Sequence, residues 1–232
     1  VRAAPMSIGL VLGSVGLYVL LLVGDRPFAA LRDPETLTFG VVFVFAALLA
    51  MSLGVSVPNA MGWSLSALST SGVQLWSGSE VAGLPLTVLA LPALVGGSAL
   101  SAAGGIKLAR MFVLSKRVGQ EFLQLGYRGS VLKFQFRDRE QTEKTILGIW
   151  VYLAAYIIAT AIGTLIYAFF EASFDDSIRM TIGALTNYAG LMDVEFLRNH
   201  KGAQLFTVLG MILGRLEVLA LIPVLSIQFW RR

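Results

Sequence analysis

Five apolar stretches set the limits of this fold, each close to the ~20 residues a helix needs to cross a bilayer. They are Met6–Gly24, Phe39–Val57, a run that starts near Leu84 and passes Gly105, Ile146–Phe170, and Ala203–Trp230. Polar punctuation closes most of them: Asp25-Arg26-Pro27, Pro58, Glu171 and Arg231-Arg232. A soluble domain of 232 residues has no interior large enough to hide so much apolar side chain. Composition agrees, since 56% of the residues are apolar and 14% are charged, against roughly 25% charged in soluble domains. The chain therefore reads as an integral membrane protein with about five transmembrane helices. With no cysteine and a single histidine, His200, disulfides, thiolate chemistry and multi-histidine metal sites within the chain are excluded. His200 itself reads as a solvated loop residue. The first residue is Val1 and the first apolar run lacks a small-residue cleavage site, so we expect no signal peptide and a piece of a longer protein.

Two shorter amphipathic segments follow the second and fourth stretches. Pro58–Thr70 opens on Pro58-Asn59, and Phe174–Tyr188 opens on Ser173 with Asp175-Asp176 in its first turn. The aspartates read as helix-start residues rather than catalytic ones. Both segments are too short to span and read either as re-entrant half-helices or as interfacial helices of an outer loop. Each precedes a polar stretch with a glycine and then another span. The order span, half-helix, polar segment, span thus occurs twice in the same direction. We divide the chain into residues 1–36 (the last helix of a preceding repeat and an inner linker), 37–144 (one span–pore–span repeat with a basic cytoplasmic segment) and 145–232 (a second such repeat). The expected fold is all-α, with tandem repeats and two re-entrant pore half-helices.

Charge orients the chain. Most of the eighteen Lys and Arg fall on one side of the spans, above all between Lys107 and Lys144. Only Arg2, Arg179, Arg198 and Lys201 fall on the other, and the positive-inside rule then makes the C-terminus cytoplasmic. The net charge of +4 is better explained by anionic lipid than by nucleic acid, because Glu121, Asp138, Glu140 and Glu143 interrupt the basic segment. The outer side carries Glu80, Glu171, Asp175, Asp176, Asp193 and Glu195, a mildly negative mouth that attracts cations.

Three places could carry chemistry. Ser69-Thr70-Ser71-Gly72-Val73 follows the first half-helix, and Thr186-Asn187-Tyr188-Ala189-Gly190 follows the second. Small hydroxyl residues and glycine allow backbone carbonyls to replace the hydration shell of an alkali cation, although either stretch alone also reads as an ordinary polar turn. The run from Gly96-Gly97 through Leu100 and Ala103 to Gly104-Gly105 interrupts the third stretch. It reads as an intramembrane loop or as close helix packing by small side chains. Lys107, directly after it, could cap its carbonyls or reach the inner surface. Arg215 lies within the fifth stretch, where a charge must face protein or water. It reads as half of a structural ion pair or as a pore-facing barrier to cations. Glu217, two residues on, sits on the opposite helix face and is a poor partner. No serine–base pair, phosphate loop or buried carboxylate pair emerges, so no enzyme activity is expected.

Together these residues resemble the Trk/Ktr/HKT superfamily of potassium transporters, most closely the TrkH type. Gly96-Gly97 through Gly104-Gly105-Ile106-Lys107 is similar to that family's glycine-pair loop. Leu213-Gly214-Arg215-Leu216-Glu217-Val218 and the Phe229-Trp230-Arg231 ending resemble its terminal signature. The resemblance covers only the C-terminal half of a four-repeat transporter. It implies filter glycines at Gly72 and Gly190, a gating loop at residues 96–107, and Arg215 pointing into the pore. It further implies K+ or Na+ as the transported ion with no covalent cofactor, a bacterial inner membrane, and an N-terminal half that completes the pore. A homodimer and a cytoplasmic nucleotide-binding ring are the partners it implies. Leu100, Ala102 and Ala103 depart from the family's glycine and threonine pattern, and Tyr188 and Leu191 from its asparagine and proline. These changes bear on conduction, selectivity and gating, and they motivate a second reading: a degenerate, non-conducting structural subunit of a membrane complex.

Overall fold

A computed structural model describes residues 33–76, 80–98, 101, 103–126, 135–136, 139–140 and 143–215. The first apolar stretch, Leu100, Ala102, Glu217 and the Phe229-Trp230-Arg231 ending lie outside these residues. Helix α1 (Pro34–Ser52) starts on Asp33, whose carboxylate accepts from the Glu35 N–H at 3.1 Å. It ends where Leu53 and Gly54 turn back onto the Ala50 and Met51 carbonyls, with Gly54 at φ +94°. Helix α2 (Val57–Leu68) carries Pro58 in its first turn, and a 3-10 turn at Val81–Gly83 leads into α3 (Leu86–Val95). Helix α4 (Leu108–Gly126) follows residues 96–107. Helix α5 (Glu143–Phe169) precedes α6 (Phe174–Thr186), and after a 3-10 turn at Ala189–Leu191 come α7 (Val194–Asn199) and α8 (Lys201–Arg215).

Two expectations shift. The second span occupies 34–52 rather than 39–57, because Asp33-Pro34 supplies a helix start inside the polar flank and Leu53-Gly54 a stop inside the apolar run. Pro58 opens the next helix instead of closing this one, as proline does in a first turn. Among the described residues the regular structure is helical apart from one antiparallel pair, β1 (Gln135–Phe136) with β2 (Arg139–Glu140), in the basic segment. His200 is half-buried rather than solvated: it stacks on Phe196 at 4.4 Å, with Nδ1 3.1 Å from the Phe196 carbonyl.

Packing follows the repeat. Helices α1 and α3 both pack on α2, α5 and α8 both pack on α6, and α3 meets α6 to join the two units. Helices α2 and α6 have 12 and 13 residues, about 18–20 Å at helical rise and well short of a ~30 Å hydrocarbon core. Trp63 through Leu68 and Met180 through Thr186 are buried without a break. An interfacial helix keeps a polar face in water, so unbroken burial marks a helix enclosed by protein. Ser173 caps α6 by accepting from the Asp176 N–H at 3.2 Å, while its hydroxyl donates to the Asp176 carboxylate at 2.6 Å. Asp175 and Asp176 are thus helix-start residues, with Arg179 3.8 Å from Asp175 on the next turn.

Helices α1 and α5 are long and apolar enough to cross a membrane. Their outer faces leave large apolar side chains bare, with Val41 68% and Leu165 71% exposed. Such a face is unfavourable in water and matched by lipid. The core between the repeats joins Trp63, Ala60 and Ala67 of α2 to Val88, Leu89 and Ala93 of α3, and to Ile182, Tyr188 and Leu191.

Candidate functional site

The C-terminal ends of α2 and α6 deliver residues 69–73 and 186–190 to one place. An alanine-like Cβ at Gly72 would sit 2.7 Å from the Ala189 Cβ and 3.2 Å from its backbone nitrogen. The two segments therefore touch, and only a residue without a side chain fits at Gly72, which also holds φ +67°. Along the first segment φ alternates in sign: Ser69 is at −75°, Thr70 at +49° and Gly72 at +67°, with Ser71 negative between them. Such alternation can bring successive carbonyls to one side of an extended chain. The N–H groups of Ser69, Thr70 and Ser71 bond back to α2. No carbonyl from Ser69 to Val73 accepts a hydrogen bond from another described residue.

The second segment differs. Asn187 takes the left-handed conformation, φ +58° and ψ 28°, and its side-chain amide donates to the Met211 carbonyl of α8 at 3.1 Å. The chain then closes into the Ala189–Leu191 turn, where the Tyr188 carbonyl accepts from Leu191 and that of Ala189 from Met192. Gly190 lies inside this turn without the positive φ that Gly72 holds. Its lack of a side chain matters for another reason: a Cβ there would meet the Tyr188 ring, 2.5 Å from Cζ.

The described residues between Gly96 and Lys107 lie against both segments. Helix α3 stops at Gly96, φ +69°, and the neck closes through Ile106 N–H to Leu94 O, Lys107 N–H to Val95 O and Leu108 N–H to Gly97 O. Ala103 sits in irregular backbone although alanine favours helix. The loop is docked at three points. The Gly104 N–H donates to the Thr70 hydroxyl at 2.7 Å. The Gly104 Cα presses on the end of α6, where a Cβ would lie 2.0 Å from the Thr186 carbonyl oxygen. The Ser98 hydroxyl donates to Glu35 Oε2 at 2.5 Å, with both residues 3% exposed. The Lys107 ammonium caps the loop, donating to the Ser101 carbonyl at 3.2 Å and to the Ala103 carbonyl. Of the two sequence readings for Lys107, the carbonyl cap is the one seen.

Arg215 ends the described part of α8. Its neighbour Gly214 presses on the last turn of α6, where a Cβ would meet the Leu185 carbonyl oxygen at 2.0 Å. The Arg215 side chain itself is exposed, and no described contact joins it to the loop. Thr70, Gly72, Gly104, Thr186 and Ala189 are therefore brought together, while Arg215 is adjacent through its backbone alone. At the opposite end of α2, the Glu80 carboxylate accepts from the Ser56 N–H, the Ser56 hydroxyl and the Asn59 amide at 3.0, 2.8 and 3.0 Å. Those hydrogen bonds, the Ser56 backbone one first, hold its pKa below the usual value. Sequence reasoning missed Glu35, whose only signal was an acid in a helix first turn. Among the described residues, no cluster of His, Asp and Glu forms a metal site, and the site's chemistry rests on neutral oxygens.

No protein-family model matches the sequence. The Trk system potassium uptake protein TrkH of Escherichia coli K12 is 26% identical over 93% of this chain and 47% of its own length. The Trk system potassium uptake protein TrkG of the same strain is 28% identical over 63% of this chain and 31% of its own. These relatives are named as uptake proteins and not as enzymes. The crystal structure of the potassium transporter TrkH from Vibrio parahaemolyticus superposes with a TM-score of 0.84 at 20% identity, covering 99% of this chain and 53% of that one. The chain is therefore similar in sequence to the Trk potassium uptake proteins over 93% of its length and similar in fold to TrkH, and it spans about half the length of the curated relatives it matches.

Proposed function

We propose that this chain supplies two walls of a membrane pore for alkali cations, K+ first and Na+ second, with the carbonyls of Ser69–Val73 as the filter surface. The observation that carries the reading is the run of carbonyls at the C-terminal end of α2 that accept from no other described residue, where the helix dipole is negative. A dehydrated cation supplies what those oxygens lack. The 186–190 segment contributes Asn187, and Gly72 against Ala189 fixes the spacing of the two walls. Residues 96–107 are the gate: they lie under both segments and are held there by Thr70, Thr186 and Glu35. Arg215 adds a positive charge beside the exit. The N-terminal half of the relatives' length would supply the remaining walls, and the basic 107–144 segment would face the cytoplasm.

A second reading is a non-conducting structural subunit. The Ala189–Leu191 turn favours it, because that turn consumes the Tyr188 and Ala189 carbonyls. Flux of K+, Na+ and Rb+ through proteoliposomes holding the complete transporter separates the two. Saturable flux supports the pore, and no flux of any alkali cation with the gate destabilised by Gly104→Ala rejects it.

A further inference from the structure

Tyr188 stands where a filter residue was expected, yet its side chain belongs to the scaffold. It is 1% exposed and lies in the core with Trp63, Ala60 and Ala67 of α2 and Ile182 of α6. Two buried groups on α2, the Trp63 indole N–H and the Ser66 hydroxyl, make no hydrogen bond of ordinary geometry. The Tyr188 phenol is the group that approaches both. Its ring also covers Gly190, which leaves no room there for a Cβ. One ring thus stands between the half-helix of the first repeat and the filter segment of the second. Directly beside it Ala189 abuts Gly72, the point where the two walls meet.

We propose that Tyr188 is a spacer behind the filter: wedged between α2 and residues 189–190, it sets the distance between the two carbonyl walls and thereby the preference among alkali cations. The inference rests on the pore reading above. Buried aromatic rings are rigid and their surroundings close-packed, so a change in ring size is transmitted to the neighbouring backbone. Whether selectivity comes from bore or from carbonyl field strength, both depend on where the oxygens stand. Tyr188 is a positioning residue, because its side chain touches no ion path.

The test compares Tyr188→Phe, which keeps the ring, with Tyr188→Leu, which keeps apolar bulk but loses reach. K+ and Na+ fluxes are measured through the complete transporter in proteoliposomes, per folded protein from its thermal melt. Tyr188→Phe should keep the K+/Na+ ratio within about twofold, and Tyr188→Leu should change it at least about fivefold. A merely structural role would lower the amount of folded protein and leave the ratio alone, and that outcome overturns the proposal. A second measurement does not need conduction. The chain has no native cysteine, so Ser71→Cys with Ala189→Cys reports the spacing of the walls by oxidative cross-linking. Tyr188→Leu should change the cross-linking rate at least about threefold and Tyr188→Phe should not. An unchanged rate in Tyr188→Leu overturns the spacer even when the parent carries no flux, whereas absent flux with a changed rate defeats only the pore reading.

Discussion

Gly104→Ala adds one methyl group at the point where the proposed gate meets the proposed filter segments. The new Cβ would start 2.0 Å from the Thr186 carbonyl oxygen and 2.6 Å from its carbon, distances that real Cβ atoms do not occupy. Both obstructing atoms are backbone, so no rotamer change relieves the clash, and the loop must retreat by about 1 Å to reach even a tight contact of 3.0 Å. The Gly104 N–H to Thr70 bond, 2.7 Å long, then stretches beyond hydrogen-bonding range. That bond is worth about 0.5–1.5 kcal/mol, and overpacking adds about 1–3 kcal/mol. A net loss of about 2 kcal/mol in docking energy shifts the balance between docked and released loop about 30-fold. Basal K+ efflux from proteoliposomes should rise towards that factor, and the Gly104 amide should exchange its hydrogen faster. Thr70→Val removes the acceptor without the clash and should give a smaller rise, about fivefold for about 1 kcal/mol. Should Gly104→Ala leave both efflux and amide exchange at parental values, the loop is not held by this contact and the gating argument fails.

Glu35→Ala leaves the buried Ser98 hydroxyl without its acceptor, at a cost of about 1–3 kcal/mol, and Glu35→Gln keeps an acceptor oxygen at the same place. Modification of a Ser101→Cys reporter by a soluble thiol reagent should therefore speed up clearly in Glu35→Ala and little in Glu35→Gln; equal rates in all three backgrounds would remove Glu35 from the docking scheme. Glu80 acts at the other end of α2. Its folded pKa is depressed, so its stabilisation is complete above the unfolded carboxylate value, ~4.3, and disappears as pH falls through the lower folded value. Amide exchange at Ser56 should accelerate as pH drops below about 4 after correction for intrinsic exchange, and Glu80→Gln should largely abolish that added pH dependence.

The starts of the half-helices were legible because capping is local. Ser173 before Asp175-Asp176, and Pro58-Asn59, announce the two helix starts to within a residue or two. The break after α3 was legible for a similar reason: glycine pairs flank a run of small residues, and Gly96 and Gly105 take the positive φ such positions allow. The start of α1 was missed because Thr36 and Glu35 look like flank, while their helix is set by Asp33 and Pro34. Contacts remote in sequence left no trace at all. Ser98 meets Glu35 across 63 positions and Gly104 meets Thr70 across 34, and no local pattern encodes either pair. The burial of the Tyr188 ring left no local trace either. Its backbone stands in a segment expected to line a path, but the direction of its ring is decided by Trp63 and Ala60, more than a hundred residues earlier.

The two half-helices are followed by different backbone. After α2, residues 71–75 form no regular element, and no carbonyl from Ser69 to Val73 accepts from another described residue. After α6 a bulky ring must be buried at once, and the chain folds back over it into the Ala189–Leu191 turn. One wall is thus shaped by missing hydrogen bonds and the other by packing. The gate loop touches both, through a side-chain hydroxyl on the first, Thr70, and a backbone carbonyl on the second, Thr186. The Thr70 hydrogen bond is worth about 0.5–1.5 kcal/mol and the Thr186 contact is one of packing alone, so each is small enough for a ligand or regulatory partner to offset by differential binding. A loop bound by many strong contacts would be scaffold. Docked by three modest ones at the junction of two walls, it has the energetics of a switch.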